Sequence, residues 1–139
     1  MTIDDIQPLL ERNNVVTFTT FRKDGRPQMS LVTVGRISDA IGFTTRRRNA
    51  KHHNLLRDPR CGLMITSPDW RSFAVLDGDA QVIGQHNTDR TVLRDTLREV
   101  YRASAGKEHP DWNEFDKVMM EQQRSAILLN PSRVYAHNL

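Results

Sequence analysis

The chain has only one cysteine, Cys61, among its 139 residues. A single thiol excludes a disulfide within the chain and a metal site built from several thiolates. Cys61 lies in the apolar run CGLMIT, so we interpret it as an inert core thiol and not as a reactive nucleophile. His52 and His53 are adjacent, which on a helix points them in different directions, so we expect no metal site there.

Long hydrophobic runs are also missing. No apolar stretch approaches the roughly 20 residues that a membrane-spanning helix needs. The N-terminal stretch MTIDDIQPLLERNN carries acids where a secretory signal carries a basic flank and an apolar core. These absences predict a cytoplasmic protein without a membrane span, and the length favours one domain over residues 1–139.

A strong charge of one sign is absent as well, since 20 basic and 17 acidic residues give a net charge of +3. The whole chain is therefore not expected to bind nucleic acid through its net charge. The basic residues are nevertheless concentrated in FTTRRRNAKHHNLLRDPR, residues 43–60, which contains six Lys or Arg side chains. This segment is the first candidate for a functional site.

Runs of β-branched and aromatic residues, separated by short turns, predict six strands. They cover residues 15–21, 27–36, 40–45, 61–67, 72–84 and 125–139. We expect a bulge at Gly78 in the fifth strand and an interruption at Asn130-Pro131 in the last. Helical spacing of apolar residues predicts helices over 3–12, 49–57, about 88–103 and 114–122. Because strands and helices do not alternate, we predict a mainly β (α+β) fold, a small antiparallel barrel with peripheral helices.

The basic segment has the outline of a phosphate site. Arg46, Arg47 and Arg48 lie between the third strand and the second helix, and Lys51 lies about one turn inside that helix. A helix N-terminus offers free backbone N–H groups, and guanidinium groups bind phosphate oxygens in a bidentate manner. The hydroxyl groups of Thr44 and Thr45 could donate to the same anion. The charge run alone favours a solvated helix face over a phosphate site.

Several motifs occur in an order that resembles a known superfamily. They are Gly25-Arg26-Pro27-Gln28-Met29-Ser30-Leu31-Val32, Gly42-Phe43-Thr44-Thr45, Arg48-Asn49-Ala50-Lys51, Asn54-Leu55, Asp58-Pro59-Arg60 and Asn130-Pro131-Ser132-Arg133-Val134. This order resembles the pyridoxamine-phosphate-oxidase-like split β-barrel superfamily, and more narrowly its deazaflavin-dependent (coenzyme F420) branch. The likeness extends from about residue 4 to the end. It implies a six-stranded antiparallel split β-barrel and a flavin or deazaflavin oxidoreductase.

The resemblance also implies site residues. The cofactor phosphate would lie against Thr44, Thr45, Arg48 and Lys51, and the ring would lie along Gln28, Met29, Ser30, Leu31 and Val32. Arg46 and Arg47 would meet an acidic cofactor tail. Members of the superfamily are homodimers with sites between subunits, so Trp70 of a partner subunit could complete the pocket. No catalytic residue is assigned, because the cofactor carries the redox chemistry.

The favoured function is an F420-dependent reductase that transfers a hydride to a small conjugated acceptor. The sequence Arg133-Val134-Tyr135-Ala136 differs from the C-terminal signature of the vitamin oxidases, which argues against that substrate. Two alternatives share the fold, namely an FMN-dependent oxidoreductase and a non-catalytic cofactor or tetrapyrrole carrier. A third, a nucleic-acid-binding barrel, lacks an aromatic stacking platform, because Phe18, Phe21, Phe43 and Phe73 fit core patterns.

Overall fold

The computed structural model describes residues 1–139 as seven strands and four helices. The strands are β1 (Val15–Phe21), β2 (Pro27–Thr33), β3 (Gly35–Ile37), β4 (Ala40–Arg46), β5 (Arg60–Thr66), β6 (Phe73–Ile83) and β7 (Arg124–His137). The helices are α1 (Ile3–Arg12), α2 (Ala50–Arg57), α3 (Arg90–Ala105) and α4 (Trp112–Glu121). The predicted mainly β fold with peripheral helices is confirmed, but the strand count is seven and not six.

The additional strand arises because the predicted strand 27–36 breaks at Val34. All strands form one antiparallel sheet in the order β2-β1-β5-β6-β7-β4-β3, so β2 and β3 lie at opposite edges. Thr33 ends β2 at one edge and Gly35 begins β3 at the other, with a single residue between them. This is possible only if the sheet curls until its two edges nearly meet. Asn14 fixes this crossing, because its Nδ2 donates to the Val34 carbonyl at 3.0 Å. The result is a barrel that stays open between β2 and the β4-β3 side.

The long β6–β7 ladder has a bulge at the predicted level of Gly78, but the extra residue is Ser132 of β7 and not a residue of β6. Its register shifts between Asp77 and Gly78, and a Cβ on Gly78 would lie 2.1 Å from the Asn130 carbonyl oxygen. The predicted interruption at Asn130-Pro131 is wrong, because β7 continues from Arg124 to His137. The bulge accommodates Pro131, which cannot donate to the ladder, opposite Gly78 without ending the strand.

The main core fills the inside of the curled sheet. Helix α1 closes it with four buried apolar side chains, which pack with the strands around Phe18 and Phe43. Those two rings meet edge to face with centroids 4.7 Å apart. The predictions for Phe18 and Phe43 are confirmed, whereas Phe21 and Phe73 are only partly buried. Cys61 is buried, and burial raises the pKa of its thiol to about 12, as expected for an inert thiol.

A second, smaller core joins α3 and α4 to the sheet. Leu93, Leu97 and Val100 of α3 pack with Phe115 of α4 and Ala126 of β7. Asp89 begins α3 by accepting hydrogen bonds from two backbone N–H groups, and Gly106 ends it in the left-handed conformation that glycine adopts without strain. None of the four helices is long and apolar enough to cross a membrane.

Candidate functional site

A cleft of about 540 Å³ lies where the barrel stays open. Residues 31–33 of β2 form one wall, residues 43–45 of β4 form the floor, and α3 and α4 cover the opposite side. Because β2 pairs only with β1, the backbone groups along its other edge have no strand partner. This edge therefore presents hydrogen-bond donors and acceptors next to the cleft.

One part of the cleft, here called the cationic side, consists of Thr44, Thr45, Asn49, Lys51 and Arg124. The guanidinium of Arg124 donates to Thr44 Oγ1 at 3.0 Å. Asn49 Nδ2 donates to Thr45 Oγ1 at 3.0 Å. The sheet register explains the first contact, because β4 pairs antiparallel with β7 and brings the start of β7 beside the end of β4. The hydroxyl group of Thr44 and two cations thus lie on one side of the cleft, and the buried hydroxyl of Thr45 holds Asn49 beside them.

Neither cation forms a salt bridge, although Glu114 also lines the cleft. The seven salt bridges of the chain include neither Lys51 nor Arg124. Burial lowers the pKa of Lys51, and the nearby charge of Arg124 lowers it further. Burial also lowers the pKa of Arg124, with a smaller effect from the Arg46 charge. A partly buried pair of like charges is unfavourable unless an anion lies between or beside them.

The start of α2 adds backbone donors on the same side. Asn49 precedes the helix, but its side chain accepts no hydrogen bond from the first turn and instead donates from Nδ2 to Thr45. The backbone N–H groups of Ala50 and Lys51 have no partner within the chain, and the first turn contains no acidic residue. Free N–H groups at the positive end of a helix bind anions well. The donor set fits a phosphate group.

The other part of the cleft, here called the aromatic side, contains Tyr101, His109 and Phe115. The ring centroid of Tyr101 lies 5.0 Å from that of His109 and 5.3 Å from that of Phe115. A salt bridge between Arg98 and Asp116 ties α3 to α4 beside them. Flat apolar surfaces on this side suit a planar molecule.

Five of the predicted site residues line the cleft: Leu31, Val32, Thr44, Thr45 and Lys51. Thr45 is 1% exposed, so its hydroxyl is available mainly to Asn49. Arg46 is partly buried at the edge of the cationic side, where its charge acts on Arg124. Arg47 and Arg48 are exposed, and no side chain of the described structure pairs with them.

The remaining predicted residues lie outside the cleft lining. Side chains alternate along β2, so Gln28 and Ser30 lie on one face of the strand and Met29 lies on the opposite face. Gln28 Oε1 accepts a hydrogen bond from Asn54 of α2 at 3.1 Å, which ties β2 to α2. Met29 is 68% exposed on the outer face of the sheet. Trp70 is 81% exposed in the loop between β5 and β6, with a φ of 65°.

Sequence reasoning missed Asn49, Arg124 and the aromatic side. Arg124 lies 64 residues after the end of the basic segment, and only its pairing opposite Arg46 brings it to the site. Tyr101 belongs to the apolar spacing that predicted α3, but that spacing indicates only that the side chain packs against the protein and not that it lines a cleft. His109 lies in the connection between α3 and α4 and belongs to no periodic pattern.

Known structures share this fold. A conserved hypothetical protein from Mycobacterium tuberculosis is 19% identical and superposes with a TM-score of 0.78, over 98% of this chain and 84% of that one. A protein described as an F420 reductase is 18% identical with a TM-score of 0.64, over 93% and 94% of the two chains. An FMN-binding protein from Nostoc punctiforme, related to pyridoxamine 5'-phosphate oxidase, is 19% identical with a TM-score of 0.67, over 96% and 82%.

At these identities the structural matches establish the fold and leave the ligand open. The sequence itself carries the assignment to a family. The family model described as pyridoxamine 5'-phosphate oxidase matches residues 2–138, nearly the whole chain. The chain therefore belongs to the pyridoxamine 5'-phosphate oxidase family, as its motifs predicted.

Proposed function

We propose that this protein is an F420-dependent oxidoreductase that transfers a hydride from the reduced deazaflavin to a small conjugated organic acceptor. The observation that carries the proposal is the pair of cations, Lys51 and Arg124, that line the cleft beside Thr44 without an acidic partner. The bound deazaflavin would supply the hydride from its own ring. The protein would supply binding, orientation and a surface from which water is partly excluded.

The roles of the site residues follow from their positions. Lys51, Arg124, Thr44 and the first N–H groups of α2 would hold the phosphate, with Thr45 positioning Asn49. The free edge of β2 at Leu31 and Val32 would meet the polar edge of the ring. The other residues predicted along β2, Gln28, Met29 and Ser30, would support this strand and not the ring.

Three guanidinium groups next to the cationic side favour a deazaflavin over FMN. Arg46, Arg47 and Arg48 lie beside the cationic side, and none has an acidic partner in the chain. The phosphate of FMN would end at the cationic side, whereas coenzyme F420 continues into a phosphodiester and an oligoglutamate tail that could use this charge. An FMN-dependent oxidoreductase is the second candidate, and the FMN-binding protein of similar fold supports it.

A homodimer is part of the proposal. The outer face of the sheet exposes apolar side chains, with Leu31 and Met29 of β2 at 71% and 68% exposure, Val15 on the neighbouring β1, and Tyr135 farther across the sheet on β7. Such a face is normally covered by another surface. A second copy would cover it and could bring its own Trp70 toward the cleft, since hydrogen bonds within residues 67–72 hold that loop rigid.

One titration separates the two cofactors. Purified protein is titrated with coenzyme F420 and with FMN, and binding is followed by the fluorescence of each. We expect tighter binding of coenzyme F420, and tighter binding of FMN would transfer the proposal to the second candidate. Binding of neither would refute both.

Turnover distinguishes an enzyme from a non-catalytic carrier of a cofactor or tetrapyrrole. Oxidation of reduced deazaflavin is followed with quinones, enones, nitro compounds and tetrapyrroles as acceptors. We expect steady-state oxidation with at least one planar acceptor. Binding without turnover across the panel would favour the carrier.

A further inference from the structure

The imidazole of His109 has one nitrogen held by a hydrogen bond within the chain and one left free. The backbone N–H of Asp111 donates to His109 Nδ1 at 2.9 Å. Because Nδ1 accepts this hydrogen bond, it carries no proton, and the neutral ring has its proton on Nε2. The protein has therefore selected one tautomer, in which Nε2 is a donor.

The Nε2–H group has no partner within the chain. His52 Nδ1 is the only buried side-chain nitrogen or oxygen that lacks a hydrogen bond. His109 Nε2 also lacks one, so it must be accessible from outside the protein. His109 lines the cleft, and this places an unused hydrogen-bond donor where a bound molecule could reach it.

The neighbouring rings restrict what this donor could bind. Tyr101 and Phe115 lie with ring centroids 5.0 Å and 5.4 Å from that of His109. The cations that suit a phosphate belong to the opposite, cationic side of the cleft. A ligand on the aromatic side would therefore be planar and apolar, with an oxygen or nitrogen that accepts one hydrogen bond.

We propose that His109 binds the oxygen of the acceptor through Nε2–H, and that it selects planar acceptors with a carbonyl or nitro oxygen. The proposal rests on the function proposed above for this cleft. When a hydride adds to the β-carbon of an enone, the C=C electron pair moves toward the carbonyl oxygen, and water supplies a proton to the α-carbon. A donor fixed beside that oxygen stabilises the developing negative charge.

The tautomer can be measured without any turnover. Long-range ¹H–¹⁵N NMR of the imidazole rings in the full chain reports which nitrogen of His109 is protonated. We expect the Nε2–H form, and we expect its resonance to shift when menadione, a planar quinone, is added. A protonated Nδ1, or no shift at saturating menadione, would overturn the proposal.

Two variants test the hydrogen bond itself. His109→Phe keeps an aromatic ring and removes the donor, whereas His109→Gln keeps an N–H donor. Loss of one neutral hydrogen bond corresponds to about a tenfold weaker affinity. We expect the Kd of menadione to rise about tenfold in His109→Phe and to recover largely in His109→Gln, while the Kd of coenzyme F420 stays unchanged in both.

The two proposals can fail separately. If the wild-type protein binds menadione through His109 but does not bind coenzyme F420, the acceptor site stands and the cofactor assignment is wrong. If it oxidises reduced deazaflavin and His109→Phe binds and reduces menadione as well as the wild type, the function stands and the role of His109 is refuted. Thermal unfolding of both variants checks that the α3–α4 connection remains folded.

Discussion

Replacing Lys51 by methionine should weaken cofactor binding without weakening the folded protein. The side chain of Lys51 is partly buried and forms no salt bridge, and Arg124 places a second positive charge near it. A hydrogen bond to a charged group contributes about 1.5–3 kcal/mol. Its loss corresponds to a Kd about 10–100 times higher.

The free protein should respond in the opposite direction. Removing a partly buried cation that has no partner is expected to leave the free energy of unfolding unchanged or to raise it by up to about 1 kcal/mol. The pH dependence has a defined sign. Burial and Arg124 lower the pKa of Lys51 in the folded state, so the unfolded chain binds more protons between that pKa and the ordinary value of 10.5. The stability of the wild type relative to Lys51→Met should therefore rise with pH through this window.

Two measurements test this reasoning. Fluorescence titration with coenzyme F420 gives the Kd, and thermal unfolding of the ligand-free proteins gives the stability. Lys23→Met is the matched control. Lys23 lies in the exposed turn between β1 and β2, so this substitution removes the same charge at a place away from the cleft. Equal Kd values for the wild type and Lys51→Met, or an equal loss in Lys23→Met, would show that Lys51 does not contact the ligand.

Four further outcomes are expected. Arg124→Gln should raise the Kd of coenzyme F420 by at least tenfold, because it removes both a cation and the guanidinium donor to Thr44. An unchanged Kd would refute its role. In denaturant unfolding, Gly78→Ala should lower the free energy of unfolding by about 1–3 kcal/mol, because the new Cβ would meet the backbone of β7. Gly62→Ala should lower it less, because its Cβ would first meet a side-chain oxygen. The pKa of His52 lies below its ordinary value of 6.5, mainly because of burial and further because of the charges of two neighbouring histidines and an arginine. The wild type should therefore lose stability as the pH falls below 6.5. Between pH 7 and pH 5, His52→Gln should lose less stability than the wild type. Leu31→Asp should shift the protein toward the monomer in analytical ultracentrifugation, and an unchanged mass would argue against a dimer through the outer face.

Local patterns predicted most elements because short-range chemistry decides them. The apolar spacing of α3 and the β-branched run of β1 are read from neighbouring residues, and both elements occur near their predicted bounds. The break at Val34 was missed because nothing local distinguishes it. It exists because the sheet curls, and the chain must pass from one edge to the other at that residue.

The sequence by itself determined the family, the mainly β fold and the basic segment with Thr44 and Lys51 as candidates for an anion site. Only the tertiary structure decided which basic residues share that site. Arg124 lies beside Thr44 because β7 pairs with β4, while Arg47 and Arg48, within five residues of Thr44 in the sequence, point into solvent. Likewise the alternation of β2 turns Met29 outward, and the loop before α4 brings His109 to the cleft. Residue type and spacing fix local conformation, but strand pairing and sheet curvature decide which distant side chains meet.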